Sequence, residues 1–373
     1  MIALRAARVF DGEAFVDDPM VVIDGATIAG VGGEVPDGAE LVDLGDVTLL
    51  PGLIDAHQHL IFTGVGTLEE QVSPFSDDEL RERARANAKR ALAAGITTIR
   101  DLGDRGYVTL ALGDDPALPT ILAAGPPLTV EGGHCWFLGG ECRGTDELAA
   151  AVRERKERGC AVVKIMVTGG ALTPTYPIWK SQFTAAELRT VVDAAHAVGL
   201  PVAAHCHGTG GIAAAVEVGV DTIEHCTFFT ESGKSEPDES LLKAIAAAGI
   251  PVSATLGRLP GGEPPPVIKA NFDTMLSGAR FLFEHGGTIV AGTDAGVGPP
   301  KPHDVLPHAL VDLADIGMTR QQALRALTAE AARVIGVGDR KGRLARGYDA
   351  DLAAFGDDAL LDVRGVWRAG VRV

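Results

Sequence analysis

The 373-residue sequence has few cysteines, few aromatic residues and no concentration of basic charge. Its five cysteines form no C-x-x-C pair and are odd in number, which argues against a disulfide framework and predicts reduced thiols. Lysine and arginine total 33 against 50 acidic residues, which gives a net charge of −17. Nucleic acid and anionic membranes require clustered basic residues, so neither is an expected partner. A neutral or cationic small molecule is compatible with this charge.

The sequence also lacks long apolar runs. The N-terminal stretch has neither the apolar segment nor the cleavage site of a signal peptide, and no apolar run is long enough to span a bilayer. With 46% hydrophobic residues the chain can still bury a large core. We therefore expect a soluble, cytoplasmic protein with a small-molecule substrate. The sequence does not determine the oligomeric state, although homo-oligomers are common among soluble enzymes.

The middle of the chain has the pattern of an α/β fold. Between about residues 50 and 335, short β-branched segments alternate with longer segments of helical period, which predicts a parallel sheet with crossover helices. Helices starting at Ser76 and Thr184 begin with a capping box, Ser/Thr-x-x-Glu. The candidate strands are 52–59, 97–103, 120–125, 161–167, 201–207, 221–226, 251–256 and 288–294. Eight strand–helix units are the count of a (β/α)8 TIM barrel.

The two ends of the chain consist of short predicted strands separated by glycine turns. This pattern predicts that residues 1–50 and 340–373 together form a small β-sandwich domain, and that residues 51–339 form the barrel. The Pro- and Gly-rich segment 259–267 follows the seventh strand, where we expect a loop over the barrel mouth.

Residues that can bind metal end five of the predicted strands, at the barrel face where active sites collect. They are His57, His59, Lys164, His205, His225 and Asp294. Histidine nitrogens and a carboxylate suit a divalent ion such as zinc. Lysine cannot bind a cation as an ammonium group. A buried lysine has a lowered pKa, however, and its neutral amine can react with carbon dioxide to form a carbamate, whose two anionic oxygens could each bind one metal.

These motifs resemble those of the amidohydrolase superfamily of metal-dependent hydrolases. The resemblance rests on PGLIDAHQH, VVKIMVTGG, AAHCHG, TIEHC, AGTDAG and the terminal GRLARGYDADLAAF, and it is greatest with the imidazolonepropionase-like and Xaa-Pro dipeptidase-like branch. The resemblance implies that His57, His59 and Asp294 bind one metal and that His205 and His225 bind the other. Carbamylated Lys164 and a hydroxide would bridge the two metals, with zinc as the expected metal.

The implied reaction is hydrolysis of an amide-type C–N bond in a peptide, N-acyl amino acid or lactam-like substrate. Asp294 would accept the proton of the bridging hydroxide and return it to the leaving nitrogen. Two alternatives stay open. One is a mononuclear deaminase or cyclic-amidine hydrolase, in which Lys164 is not a ligand. The other is a catalytically silent relative used for binding or assembly.

Four further residues are candidates for contact with substrate. His134 lies between glycines in GGHCWFLGGE, Trp136 follows it closely, and Tyr176 lies in the loop after the fourth strand. His207 shares a strand face with His205, where dipeptidases of the branch commonly have tyrosine. It could contact substrate, support a metal ligand or act as a second acid–base group. Cys206 and Cys226 are expected to point away from the pocket.

Overall fold

The structure is a computed structural model that describes residues 1–373. The strands are β1 (Ile2–Arg5), β2 (Arg8–Val9), β3 (Met20–Asp24), β4 (Thr27–Val31), β5 (Glu40–Asp43), β6 (Thr48–Pro51), β7 (Leu53–Gln58), β8 (Ile96–Asp101), β9 (Thr120–Ala123), β10 (Val163–Met166), β11 (Val202–Gly208), β12 (Thr222–Phe229), β13 (Val252–Ser253), β14 (Ile289–Val290), β15 (Leu352–Phe355), β16 (Val363–Arg368) and β17 (Val371–Arg372).

The helices are α1 (Asp77–Ala93), α2 (Gly144–Arg158), α3 (Ala185–Ala197), α4 (Thr209–Val218), α5 (Glu239–Ala248), α6 (Pro266–Glu284), α7 (Ala309–Asp315), α8 (Arg320–Ala326) and α9 (Ala329–Val334). Both predicted capping boxes are confirmed, at Ser76 for α1 and at Thr184 for α3. No helix is both long and apolar enough to cross a membrane.

Eight parallel strands, β7 to β14, follow one another in chain order in two sheets, β7-β8-β9 and β10-β11-β12-β13-β14. Backbone hydrogen bonds join these sheets at both seams. Leu128 N–H donates to the Lys164 carbonyl at 2.8 Å, and His59 N–H donates to the Ala295 carbonyl at 3.0 Å. This arrangement agrees with the predicted (β/α)8 barrel, around which 63 buried residues form the main core.

The barrel departs from the prediction at three places. The connection between β8 and β9 contains only a 3-10 turn, Leu110–Leu112, so the second predicted strand–helix unit lacks an α-helix. The seventh and eighth strands are two residues long because the backbone leaves the extended region before the predicted ends. Helix α6 begins at Pro266, so the predicted loop ends at residue 265; proline favours the first position of a helix because it has no N–H to satisfy.

The remaining strands form two sheets that combine both ends of the chain. Their orders are β4-β3-β1-β5 and β17-β16-β15-β6-β2. A separate core of 13 buried residues lies in this region, with members that include Leu4 and Ile23 from the N-terminal part and Leu352 and Trp367 from the C-terminal part. This is the composite architecture that the sequence predicts, and the domain boundaries at 50/51 and 339/340 stay predictions.

Candidate metal centre

A cavity lies at the carboxyl ends of the barrel strands, and six of the ten histidines line it. These are His57, His59, His134, His205, His207 and His225, and Lys164 and Asp294 line the same cavity. The cavity therefore brings together all six residues that the sequence predicts as metal ligands at the strand ends. The barrel does this because parallel strands present their carboxyl ends at a single face.

His57, His59 and Asp294 form the first histidine group. The Nε2 atoms of the two rings are 3.3 Å apart, and Asp294 Oδ1 lies 3.3 Å from His59 Nε2 and 3.5 Å from His57 Nε2. The Nδ1 atoms of both histidines face acceptors, so in neutral rings the protons are on Nδ1 and the Nε2 atoms carry lone pairs. Three acceptor atoms this close fit a shared cation.

The first histidine group is oriented by buried partners. His57 Nδ1 lies 2.8 Å from the Glu224 carboxylate, which also pairs with Arg100 at 2.9 Å, and His59 Nδ1 lies 3.1 Å from the Gly103 carbonyl oxygen. Burial would raise the pKa of Glu224, but Arg100 and His57 hold it below its usual range. The resulting carboxylate fixes the His57 tautomer and leaves the Nε2 lone pair facing His59 and Asp294, where it could bind a metal.

His205, His207 and His225 form the second histidine group. One ring nitrogen from each lies within 4.8 Å of the others, and all three side chains are buried. The His207 ring stacks on the His225 ring with centroids 4.5 Å apart and an interplanar angle of 20°. The sequence-based expectation that His207 shares the pocket face with His205 agrees with this placement.

Each ring of the second histidine group uses one nitrogen in a contact with the protein. His205 Nε2 lies 3.1 Å from the Gly169 carbonyl oxygen, His207 Nδ1 lies 2.7 Å from Thr227 Oγ1, and His225 Nδ1 lies 3.1 Å from Thr255 Oγ1. The other nitrogen of each ring is free to face a metal or a substrate. Two of the three partners are neutral hydroxyls that can either donate or accept, so they fix the tautomer less firmly than a carboxylate does.

Lys164 supplies the amine at this face. Its Nζ atom is fully buried and has no hydrogen-bond partner, although a buried ammonium group ordinarily requires one. Burial lowers the pKa of Lys164, against the carboxylates of Glu224 and Asp294, which raise it. A buried, unpartnered amine is compatible with the predicted carbamate, because that modification would replace the missing contacts.

Several residues of the site have a left-handed backbone that is unusual outside glycine. The φ angles are 68° at His225, 55° at Cys226, 52° at Thr255 and 60° at Asp294. Such conformations cost of order 1–3 kcal/mol each and concentrate at functional sites. They also correct one expectation. Cys226 lines the cavity, because strand alternation no longer holds where β12 leaves the extended region.

The comparison with known protein families decides the identity of this site. Residues 48–373 match the Amidohydrolase family. The chain belongs to the amidohydrolase family. It is a metal-binding hydrolase that acts on carbon–nitrogen bonds, as the sequence motifs predicted.

Individual relatives are similar over most of their length. Ochratoxinase from Aspergillus niger is 27% identical over 353 residues, covering 85% of this chain and 72% of the relative. Imidazolonepropionase from Anaeromyxobacter dehalogenans is 27% identical over 387 residues, covering 90% and 83%. The crystal structure of a Xaa-Pro dipeptidase with methionine bound in its active site aligns with a TM-score of 0.86 at 27% identity, over 100% of this chain and 99% of that one.

In this amidohydrolase, His134 also lines the cavity, as the sequence predicted for a residue that contacts substrate. Its ring centroid lies 4.6 Å from that of His205, and its Nδ1 atom is buried without a partner. Burial, together with the nearby His207 and Lys164, lowers the pKa of His134 to about 3. A Cβ atom at Gly170 would lie 2.4 Å from this ring, so only glycine lets the loop pass so close.

Trp136 and Tyr176 are not among the residues that line the cavity. Trp136 lies half-buried in a 3-10 turn, with its ring nearly perpendicular to that of Phe137. The Tyr176 hydroxyl donates to the Ser181 carbonyl at 3.0 Å, so the protein itself uses the donor that was expected to reach substrate. A loop residue's direction depends on its local turn, which residue type alone does not specify.

Sequence reasoning missed the charged partners of the amidohydrolase site. Glu224 and Arg100 hold the first histidine group, and Arg258 and Lys301 line the cavity. Glu224 could have been noticed because it interrupts an apolar strand immediately before His225. Arg258 lies immediately before the segment that the sequence predicts to be a mouth loop, and nothing in the sequence marks it as facing inward.

Proposed function

We propose that this amidohydrolase hydrolyses an amide bond with two divalent metal ions, expected to be zinc, one at each histidine group, and with carbamylated Lys164 between them. The observation that carries the proposal is the buried, unpartnered Lys164 Nζ in the cavity that both groups line. The two groups supply five imidazoles and a carboxylate, which are ligands that suit zinc.

Bound divalent ions would lower the pKa of a water molecule and polarise the substrate carbonyl. Asp294 would take the proton released during attack. Burial opposes ionisation of Asp294, but its neighbours His59, His57 and Lys301 hold its pKa below the usual range. The ionised carboxylate can therefore accept the proton and pass it to the leaving nitrogen.

His134 and His207 would position the substrate. Both are buried, line the cavity and have a ring nitrogen that is not used by a hydrogen bond to the fold. Such nitrogens can donate to the oxygen of a substrate amide, which orients the carbonyl for attack. His207 is the more adaptable of the two, since its free nitrogen belongs to the second histidine group and could instead bind metal.

The relatives support a substrate with an amide-type bond. A Xaa-Pro dipeptidase acts on a peptide bond, and ochratoxinase and imidazolonepropionase are two further relatives of similar identity. A peptide, an N-acyl amino acid and a lactam-like ring each contain a carbonyl that the same site could polarise.

Metal analysis of the purified protein tests the proposal. Wild type purified with zinc and bicarbonate should hold roughly two metal equivalents. Lys164→Ala and the volume-conserving Lys164→Met should hold about one equivalent or less and lose activity, because the bridging ligand is missing. Lys180→Ala, which changes a loop lysine outside the cavity lining, is the matched control. Two equivalents in both Lys164 variants would refute a lysine-bridged centre.

The second candidate is a one-metal deaminase or cyclic-amidine hydrolase. It is favoured by the way the groups are held, since the carboxylate of Glu224 fixes His57 in the first histidine group, whereas threonine hydroxyls hold His207 and His225 in the second. One equivalent in wild type, unchanged in the Lys164 variants, would select it. Cyclic amidines and amine-bearing rings should then be assayed in place of amides.

A further inference from the structure

The cavity extends from the metal centre along helix α6, and this outer part is mainly apolar. Phe272, Met275 and Leu276 of α6 line it, together with Ile268 from the first turn of that helix. The cavity is partly open to solvent. Its apolar lining suits a bulky apolar group beyond the amide that reacts at the metals.

Arg258 also lines the outer cavity, and its positive charge would have no partner on a purely apolar substrate. Its guanidinium carbon lies 3.6 Å from the centroid of the Phe272 ring. None of its five N–H donors makes a hydrogen bond or ion pair with another group of the protein, although the chain carries a net charge of −17. The Phe272 ring therefore holds the arginine, and the N–H donors of Arg258 have no partner within the protein.

The neighbouring charged groups of the cavity already have partners. Lys301 Nζ donates to the carbonyl oxygens of Thr255 and Thr293, at 2.6 Å each. Asp312 accepts the Gly257 N–H at 2.8 Å and makes no ion pair with Arg258.

Arg258 is also close enough along the chain to act on a substrate held at the metals. Thr255 contacts His225 of the second histidine group at 3.1 Å, and Arg258 follows three residues later. Three residues span at most about 10 Å, and the arginine side chain can reach back over part of that length. In an N-acyl amino acid the carboxylate is separated from the reacting amide nitrogen by a single carbon.

We propose that Arg258 binds a carboxylate on the substrate, so that the enzyme prefers amides that carry an acidic group beside a bulky apolar one, such as N-acyl derivatives of apolar amino acids. This inference rests on the proposed function and names its substrate class. A guanidinium matches a carboxylate in two parallel hydrogen bonds, a geometry that lysine does not reproduce.

The test compares two amides in the zinc-loaded enzyme. N-benzoyl-L-phenylalanine carries the carboxylate, and N-benzoylphenethylamine is the same amide without it. Arg258→Met should lower kcat/KM for the acid by about 10- to 100-fold and change that for the neutral amide by less than about threefold. Arg258→Lys should recover only part of the loss. Arg346→Met removes an exposed arginine distant from the cavity and controls for the change in net charge.

A binding measurement separates this inference from the proposed reaction. Calorimetry with 3-phenylpropanoate and 3-phenylpropanamide should show tighter binding of the acid to wild type and a loss of that preference in Arg258→Met. Equal losses for both ligands, or no loss, would overturn the role of Arg258 even if amides are hydrolysed. If wild type hydrolyses neither amide, amide hydrolysis is refuted for this substrate pair, and the binding comparison still decides whether Arg258 recognises a carboxylate.

Discussion

The two histidine groups differ in how the protein holds them. In the first group, His57 is fixed by the carboxylate of Glu224, which is itself paired with Arg100, and the ligand atoms converge to 3.3–3.5 Å. In the second group, His207 and His225 are held by threonine hydroxyls. A charged partner fixes one tautomer and one direction, whereas a hydroxyl adapts to either tautomer.

This difference indicates that the first group is a preorganised metal site and that the second depends more on a further ligand. Lys164, the candidate for that ligand, lies in the cavity without any hydrogen bond of its own. If the groups are as unequal as their partners suggest, substitutions around the first should cost more than comparable substitutions around the second.

The largest effect is expected at Asp294, which belongs to the first group and would also transfer the proton. Asp294→Asn should lower kcat/KM by about 10³-fold, because the amide cannot accept a proton. Steady-state kinetics and metal content should be measured together. Asp304→Asn, which changes a carboxylate paired with Arg90 at 3.0 Å, should leave activity nearly unchanged. Activity of Asp294→Asn within tenfold of wild type would assign proton transfer to another residue.

An intermediate effect is expected at Glu224. Glu224→Gln should weaken zinc binding by roughly 10- to 100-fold, since His57 would lose the partner that fixes its tautomer. The variant should also lower the free energy of unfolding by about 3 kcal/mol, because buried Arg100 would lose its counter-charge. Competition with a chelator measures the first quantity and denaturant titration the second. Glu217→Gln, on the exposed face of α4, is the control.

The smallest effect is expected at Thr227, the partner of His207. Thr227→Val should weaken zinc binding by less than about tenfold, because a neutral hydroxyl contributes less than a charged partner. The same chelator competition applies. A loss as large as that of Glu224→Gln would show that the two groups are equally preorganised and would remove the basis of the comparison.

The residues that line the cavity at the strand ends could be predicted from sequence, because strand order and side-chain alternation place residues in a parallel barrel. His57 and His59 share one face of one strand, and the carboxyl ends of successive strands meet at one rim. The same reasoning brought His207 into the cavity beside His205. Strand alternation gave the wrong direction for Cys226, because a left-handed backbone interrupts the strand there. It could not be applied to Trp136 and Tyr176, because both lie in loops.

The sequence by itself determined the order of the strands, the family and the residue types at the strand ends, because all of these follow from local pattern. The tertiary structure alone decided which groups support them. Arg100 and Glu224 are 124 residues apart in the sequence. Arg258 lies in the cavity lining, beside Phe272 of α6, only in the folded chain. Such contacts depend on the packing of distant segments, which no local pattern encodes. The proposed preference for a carboxylate therefore depends on the folded cavity and not on any motif.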